Sequence, residues 1–97
     1  MRIIAKRTLK EFWERYPDAQ SPLEAWHAEG KSADWKNSAD IKKQYGTASI
    51  LKNARVVFNI HGNKYRLIVR IDYTYSIVFI RFIGTHKEYD QIDAGEI

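Results

Sequence analysis

Apolar side chains recur along this chain with two different periods, and the switch between them falls near the middle. In the first half Leu9, Phe12, Trp13 and Tyr16 lie at helical spacing, which predicts an amphipathic helix with one buried stripe. TLKE supplies its start, with Thr8 as N-cap and Glu11 three residues on, a spacing at which two side chains satisfy two orphan backbone donors. Pro17 disfavours continuation through Tyr16. SPLE repeats the signal: Ser21 as cap, Pro22 at the first helical position, Glu24 closing the box and Trp26 adding an apolar contact, with Gly30 as the expected stop. NSADIKKQY predicts a third helix capped by Asn37, with Asp40 in its first turn, Lys42 and Lys43 further along, and an end at Tyr45 and Gly46. Ahead of all three, RIIA within residues 1–5 fits a short strand.

From Arg55 the period becomes two, and RVVFNIH, KYRLIVRID and SIVFIRFIG read as strands. Gly62-Asn63 suits a two-residue hairpin loop, which sets Ile60 opposite Tyr65, Phe58 opposite Leu67 and Val56 opposite Val69. Those residues share one apolar face. Placing Thr74 and Tyr75 at the next corner adds Val78, Ile80 and Phe82 to it. The opposite face then carries Arg55, Asn59, Arg66, Arg70 and Arg81 beside Val57, Ile68, Phe79 and Ile83, with His61 and Lys64 near the hairpin end. The expected architecture is α+β in two layers: N-terminal helices on one face of a small antiparallel sheet, the N-terminal strand at an edge, and one or two helical turns in HKEYDQIDAGEI.

A length of 97 residues bounds this to one domain, residues 1–97. No apolar stretch reaches bilayer length and the opening MRIIAKRTLKEF lacks the long apolar region of a secretory signal, so a cytoplasmic location without a membrane partner is expected. The absence of cysteine removes disulfides, thiolate catalysis and cysteine-ligated zinc. His27, His61 and His86 lack the close spacing of a helical metal pair, and neither metal nor cofactor is expected. Phosphate-loop, dinucleotide and serine-elbow motifs are also missing. Sixteen Lys and Arg against twelve Asp and Glu give a net charge of +4, which favours an anionic partner such as nucleic acid.

Two clusters carry candidate chemistry. The arginines of the sheet can hold phosphate by paired, charge-assisted hydrogen bonds, although a solvated sheet face would look the same in sequence. In THKEYD, residues 85–90, His86 can exchange protons near neutral pH and Tyr89 shares its side if a helix starts there. Asp90 can equally cap, pair with Arg81 or face water. The tryptophans, all within the first 35 residues, read as core and helix-packing groups.

The stretches RVVFNIHGNKYRLIVRI, VFIRFIGTH and HKEYDQID, together with YPDA and PLEAW, resemble the HigB family of bacterial type II toxins, within the broader RelE-like group. The resemblance covers nearly the whole chain. It implies a small α+β, RelE-like fold and an endoribonuclease, an mRNA interferase that cuts messenger RNA on the translating ribosome and so inhibits translation. It further implies a HigA-type antitoxin with a helix-turn-helix domain, through which operator DNA would be bound only indirectly. On that reading Arg66, Arg70 and Arg81 hold phosphate and transition-state charge, His86 transfers protons, and Tyr89 orients substrate or shares the transfer. Asn59, Lys64 and Arg55 become RNA contacts, and Lys87 is a contact or a substitute for His86. Two other readings share the fold: a nonenzymatic RNA-binding module, and an inert partner of an antitoxin.

Overall fold

In the computed structural model, which describes residues 1–97, the change of period becomes a change of layer. The chain runs through β1 (Arg2–Ile4), α1 (Lys6–Arg15), a 3-10 turn (Pro17–Ala19), α2 (Gln20–Ser32), α3 (Ser38–Gln44), β2 (Ser49–Ile50), β3 (Arg55–Ile60), β4 (Tyr65–Asp72), β5 (Ile77–Thr85) and α4 (His86–Tyr89). The five strands form one sheet in the order β1-β5-β4-β3-β2, in which only the β1–β5 pair is parallel. Leu9 and Phe12 of α1, Leu23 and Trp26 of α2, Trp35 and Ile41 pack on Val56, Phe58, Leu67, Val69 and Val78, all within one core. The α+β two-layer expectation therefore holds, with β2 as an additional edge strand.

The β3–β4 hairpin has the predicted register, Ile60 opposite Tyr65, Phe58 opposite Leu67 and Val56 opposite Val69. Its loop is longer than expected. The strands stop at Ile60 and restart at Tyr65, and His61 itself adopts the left-handed conformation with φ 56, followed by Gly62 at φ 66. His61 thus belongs to the turn and not to the basic face.

The larger correction lies in β5. A bulge opposite Ile68 and Val69 leaves Ile80 paired with Val69 and Phe82 paired with Ile68, so Arg81 has no partner on β4. One extra residue inverts the alternation beyond it. Phe82, expected in the core, lies on the opposite face, and Ile83, expected on that face, enters the core.

That second face is also less open than the alternation implied. Val57, Ile68 and Phe82 are covered by Leu51, Tyr89, Ile92, Ala94 and Ile97. The Arg55 guanidinium donates to the Ile97 carbonyl at 3.0 and 2.7 Å, and Asn53 donates to Gly95. The C-terminal segment is therefore a small second cover on the sheet.

Two helix starts differ from their sequence signals. α1 begins at Lys6 with Ala5 as its unassisted cap, because β1 pairs with β5 through Ile4 and the chain turns at once into the helix. Thr8 is already inside the first turn, and Glu11 pairs with Arg7 at 2.9 Å. α2 follows the 3-10 turn directly, so Ser21 and Pro22 lie within it and Ser21 is not a cap. Gly30 does not stop α2, which runs to Ser32; the Met1 amino group donates to the carbonyls of Gly30, Lys31 and Ala33 at 3.1, 2.8 and 2.9 Å. A side chain at Gly30 would press on Ile3 at 3.0 Å. Asn37 caps α3 as predicted, accepting from Asp40 N–H at 3.1 Å.

The bulge yields a direct check. Ile83→Ala should lower the unfolding free energy by about 2–4 kcal/mol in urea, as expected for truncating a buried aliphatic. A loss below about 0.5 kcal/mol, typical of surface positions, would place Ile83 outside the core and remove the bulge.

Candidate functional site

The site is built where three pieces of backbone meet. Tyr65, the first residue of β4, pairs with Ile60 on one side and with Thr85, the last residue of β5, on the other. Thr85 is held extended by that pairing, so its side chain can cap the helix that follows. Its hydroxyl accepts from Glu88 N–H at 3.2 Å, and the Glu88 carboxylate accepts from Thr85 N–H at 2.8 Å, a complete capping box. The His86 N–H donates to the Lys64 carbonyl at 3.3 Å, tying the first residue of α4 to the hairpin. Gly84 is needed here because a Cβ would stand 3.1 Å from the Glu88 carboxylate and closer still to the Phe82 ring.

His86 makes one polar side-chain contact, from Nδ1 to Asp90 Oδ2 at 3.2 Å. An ionised Asp90 carboxylate only accepts, so this contact requires the hydrogen on Nδ1 and leaves the lone pair of a neutral ring on Nε2. The Tyr89 ring lies 6.4 Å from that of His86, centroid to centroid, in an edge arrangement. Over Tyr89 sits the Arg66 guanidinium, 5.8 Å from the ring centroid, also donating to the Asn63 carbonyl at 3.1 Å. His86, Tyr89 and Arg66 thus form one connected group.

On the other side of His86 a groove of about 590 Å³ opens. Arg15, Tyr16, Pro17 and Asp18, from the end of α1 and the 3-10 turn, form one wall; Thr85, His86 and Lys87 form the other; Lys64 and Tyr65 lie between. Asp18 accepts from the Lys64 ammonium and from the Tyr65 hydroxyl. The Lys64 hydrogen bond, then that from Tyr65, holds the Asp18 carboxyl below its ordinary range, and the same bond raises Lys64. Burial first, and Asp18 second, push the Tyr65 phenol up. The clamp is therefore charged on both sides throughout the neutral range.

The sequence-predicted residues divide into groups. His86, Tyr89, Arg66 and Lys87 gather around α4, with Asn59 directly across from Arg66 on β3. Lys64 is adjacent, but its ammonium is engaged by Asp18. Arg81 is exposed in the bulge, one strand away from the β4 segment that bears Arg66. Arg55 and Arg70 pair with each other four residues along the sheet from Asn59 and Arg66, roughly 13 Å at the rise of a strand. There Arg55 holds the C-terminal segment and Arg70 lies over the Phe79 ring at 4.4 Å. His27 is half-buried on α2, where burial and then Lys6 and Lys31 lower its pKa; His61 approaches Asp18 at 3.8 Å. Arg15, Asp18, Gly84 and Asp90 were not singled out in the sequence as site residues. For Thr85 the signal existed, since Glu88 follows it by three.

A sequence model of the HigB_toxin family, described as the RelE-like toxic component of a toxin–antitoxin system, matches residues 19–92. The mRNA interferase toxin HigB of Escherichia coli (strain K12) is 28% identical over 92 residues, covering 93% of this chain and 88% of that protein. The mRNA interferase HigB of Escherichia coli O6:H1 is 26% identical over 94 residues, covering 95% and 91%. The small α+β fold, with helices on one face of a five-stranded sheet, agrees with the RelE-like class that this family description gives. The chain belongs to the HigB toxin family.

The Asp18 clamp gives stability a definite pH dependence. The folded carboxyl titrates below its ordinary 3.8, so its contribution is complete above 3.8 and is lost as pH falls through the folded value. Lys64 titrates above its ordinary 10.5, so its share is complete below 10.5 and is lost as pH rises through the folded value. The thermal midpoint of the wild type should exceed that of Asp18→Asn by a constant margin at neutral pH, and the margin should close in acid and in strong alkali. An unchanged margin at acid pH, measured by circular dichroism melting, would refute the clamp.

Proposed function

We propose that this protein is an mRNA interferase, an endoribonuclease that cuts messenger RNA by attack of a ribose 2′-hydroxyl on the adjacent phosphate. What carries this reading is the grouping of His86, oriented by Asp90, with Tyr89 and Arg66 on one short helix and the strand beside it. His86 Nε2 takes the proton of the 2′-hydroxyl as the oxygen attacks phosphorus. Arg66 offers its guanidinium to the equatorial oxygens, where negative charge develops. Tyr89 stands beside the histidine to return a proton to the departing 5′-oxygen. The products are a 2′,3′-cyclic phosphate and a 5′-hydroxyl end, and no atom is gained or lost before hydrolysis of the ring.

Arg81, exposed in the bulge, extends the cationic surface along the RNA, while Asn59, Lys64 and Lys87 flank the reacting group. Arg55 and Arg70 are more distant, and their contribution is limited to the far end of the strand. The names of the relatives, mRNA interferases, support messenger RNA as the substrate. Within the proposal the cut is made on the translating ribosome in the cytoplasm, and a HigA-type helix-turn-helix antitoxin neutralises the toxin and carries it to operator DNA.

Expression without an antitoxin should arrest growth and yield messenger RNA fragments with 5′-hydroxyl ends. Folded His86→Ala should cut at least about 100-fold more slowly, the lower end of the general acid–base contribution. Asp90→Asn should lose less and shift the pH–rate profile, because it disturbs only the tautomer and orientation of the ring. Wild-type cleavage by folded His86→Ala would overturn the histidine's role. Recovery of bound RNA intact after incubation with active ribosomes would identify a binding module instead.

A further inference from the structure

The groove between the end of α1 and the start of α4 has a charge pattern that the cleavage step does not use. Its one carboxylate, Asp18, is taken up internally by Lys64 and Tyr65. Arg15, from the end of α1, and Lys87, from the start of α4, both line it and have no carboxylate within ion-pair reach. The Arg15 guanidinium lies 5.8 and 5.7 Å from the ring centroids of Phe12 and Tyr16. In such a pose an aromatic ring takes one face of the guanidinium and leaves its N–H edge available to an anion. The volume, about 590 Å³, falls within the usual size of a small-ligand cleft.

Position adds a second constraint. His86 lines the groove, yet its ring also meets Tyr89, and neither Tyr89 nor Arg66 belongs to the groove. The histidine is thus the partition between two cationic places. An RNA strand whose reacting phosphate lies at Arg66 and His86 can reach the groove with a neighbouring nucleotide, because His86 lines both places.

We infer that the groove seats the ribonucleotide adjacent to the cleaved bond, its phosphate held between Arg15 and Lys87 and its base against the apolar wall of Tyr16 and Pro17. The identity of the polymer rests on the ribonuclease reading above; the site itself rests on the groove. Such a seat adds binding energy and register without touching the reacting atoms, and so acts on KM more than on kcat.

The test is fluorescence anisotropy with a fluorescein-labelled RNA heptamer bearing 2′-O-methyl riboses, which this chemistry cannot cut. The Arg15→Ala/Lys87→Ala protein, checked for folding by circular dichroism, should bind about tenfold more weakly and lose about 0.7 from the slope of log affinity against log salt, the share of one phosphate on a single strand. Lys10→Ala removes an exposed cation of the same helix outside the groove and should change affinity less than about twofold. In nuclear magnetic resonance titrations 5′-AMP should shift the Tyr16 and Lys87 amides more than inorganic phosphate does. Equal weakening by Lys10→Ala, an unchanged salt slope in the double variant, or identical shifts with phosphate alone would each overturn the seat. Displacement of the heptamer by poly-glutamate of equal charge at the same concentration would assign the groove to an acidic protein segment instead. Because the probe is uncleavable, binding in the groove is read even if the chain never cuts RNA. Cleavage by the double variant at unchanged KM would remove the groove and leave the nuclease standing.

Discussion

The buried Tyr65 side chain joins parts of the fold that no local sequence signal connects. Its ring, 1% exposed, meets Phe12 edge-on at 5.2 Å and Tyr16 at 5.6 Å, so the helix layer rests on it. Its backbone pairs with both Ile60 and Thr85, so the hairpin and the end of β5 are fixed at the same height. A buried phenol needs a partner for its hydroxyl, and Asp18 provides one while also holding Lys64. Once that joint is made, the distance between the end of α1 and the start of α4 is set. The groove, and the placing of His86 on its wall, follow from it.

The same short pattern in the sequence, a threonine followed three residues later by glutamate, failed at Thr8 and held at Thr85. The difference lies in where a strand ends. β1 keeps its pairing through Ile4 and hands over directly to α1, so Thr8 has helical backbone and cannot cap. β5 keeps its pairing through Thr85, which is therefore extended at the one position where a cap is required. Capping residues state a preference, and strand pairing decides whether the backbone is available to use it. Periodicity identified both layers and the register of the β3–β4 hairpin, because alternation and a turn act over a few residues. It could not foresee the bulge at Arg81, since Arg81, Phe82 and Ile83 fit an unbulged strand with Phe82 inward as well as a bulged one with Ile83 inward. In the fold Ile83 pairs with Leu67 and joins the main core, while Phe82 pairs with Ile68 on the other face.

The basic face shows that alternation alone does not decide which part of a sheet is open to solvent. Arg55, Arg66, Arg70 and Arg81 all leave the helix layer, as alternation requires, but Val57, Ile68 and Phe82 share their side and demand cover. An antiparallel sheet with one solvated face carries polar groups there almost throughout, so those apolar residues were themselves the sign of a second packing layer. The C-terminal segment supplies it, and in doing so recruits Arg55 as its anchor. What remains open for an anionic partner is the end of the sheet near α4, where Arg66 and Lys87 lie, together with the bulge at Arg81. The Asp18, Arg15 and Asp90 contributions were invisible because each depends on contact between elements or on the turn of a helix only four residues long.

That helix is too short to be stable by itself, since nucleation costs more than one turn returns. It is held at its start by the Thr85–Glu88 box and by the bond from His86 N–H to the Lys64 carbonyl, and at its end by Tyr89 and Ile92 packing on the sheet. Fixing both ends of a single turn fixes the direction of its side chains. His86 then has Nδ1 committed to Asp90 while its ring lies beside Tyr89 and the residue lines the groove. The histidine needs no burial to be selective among orientations, because sheet pairing positions its backbone and one carboxylate positions its ring. A net charge of +4 is modest for a protein that binds RNA. The anchored helix concentrates that charge locally, with Arg66 over the Tyr89 ring and Lys87 next to His86 in the lining of the groove.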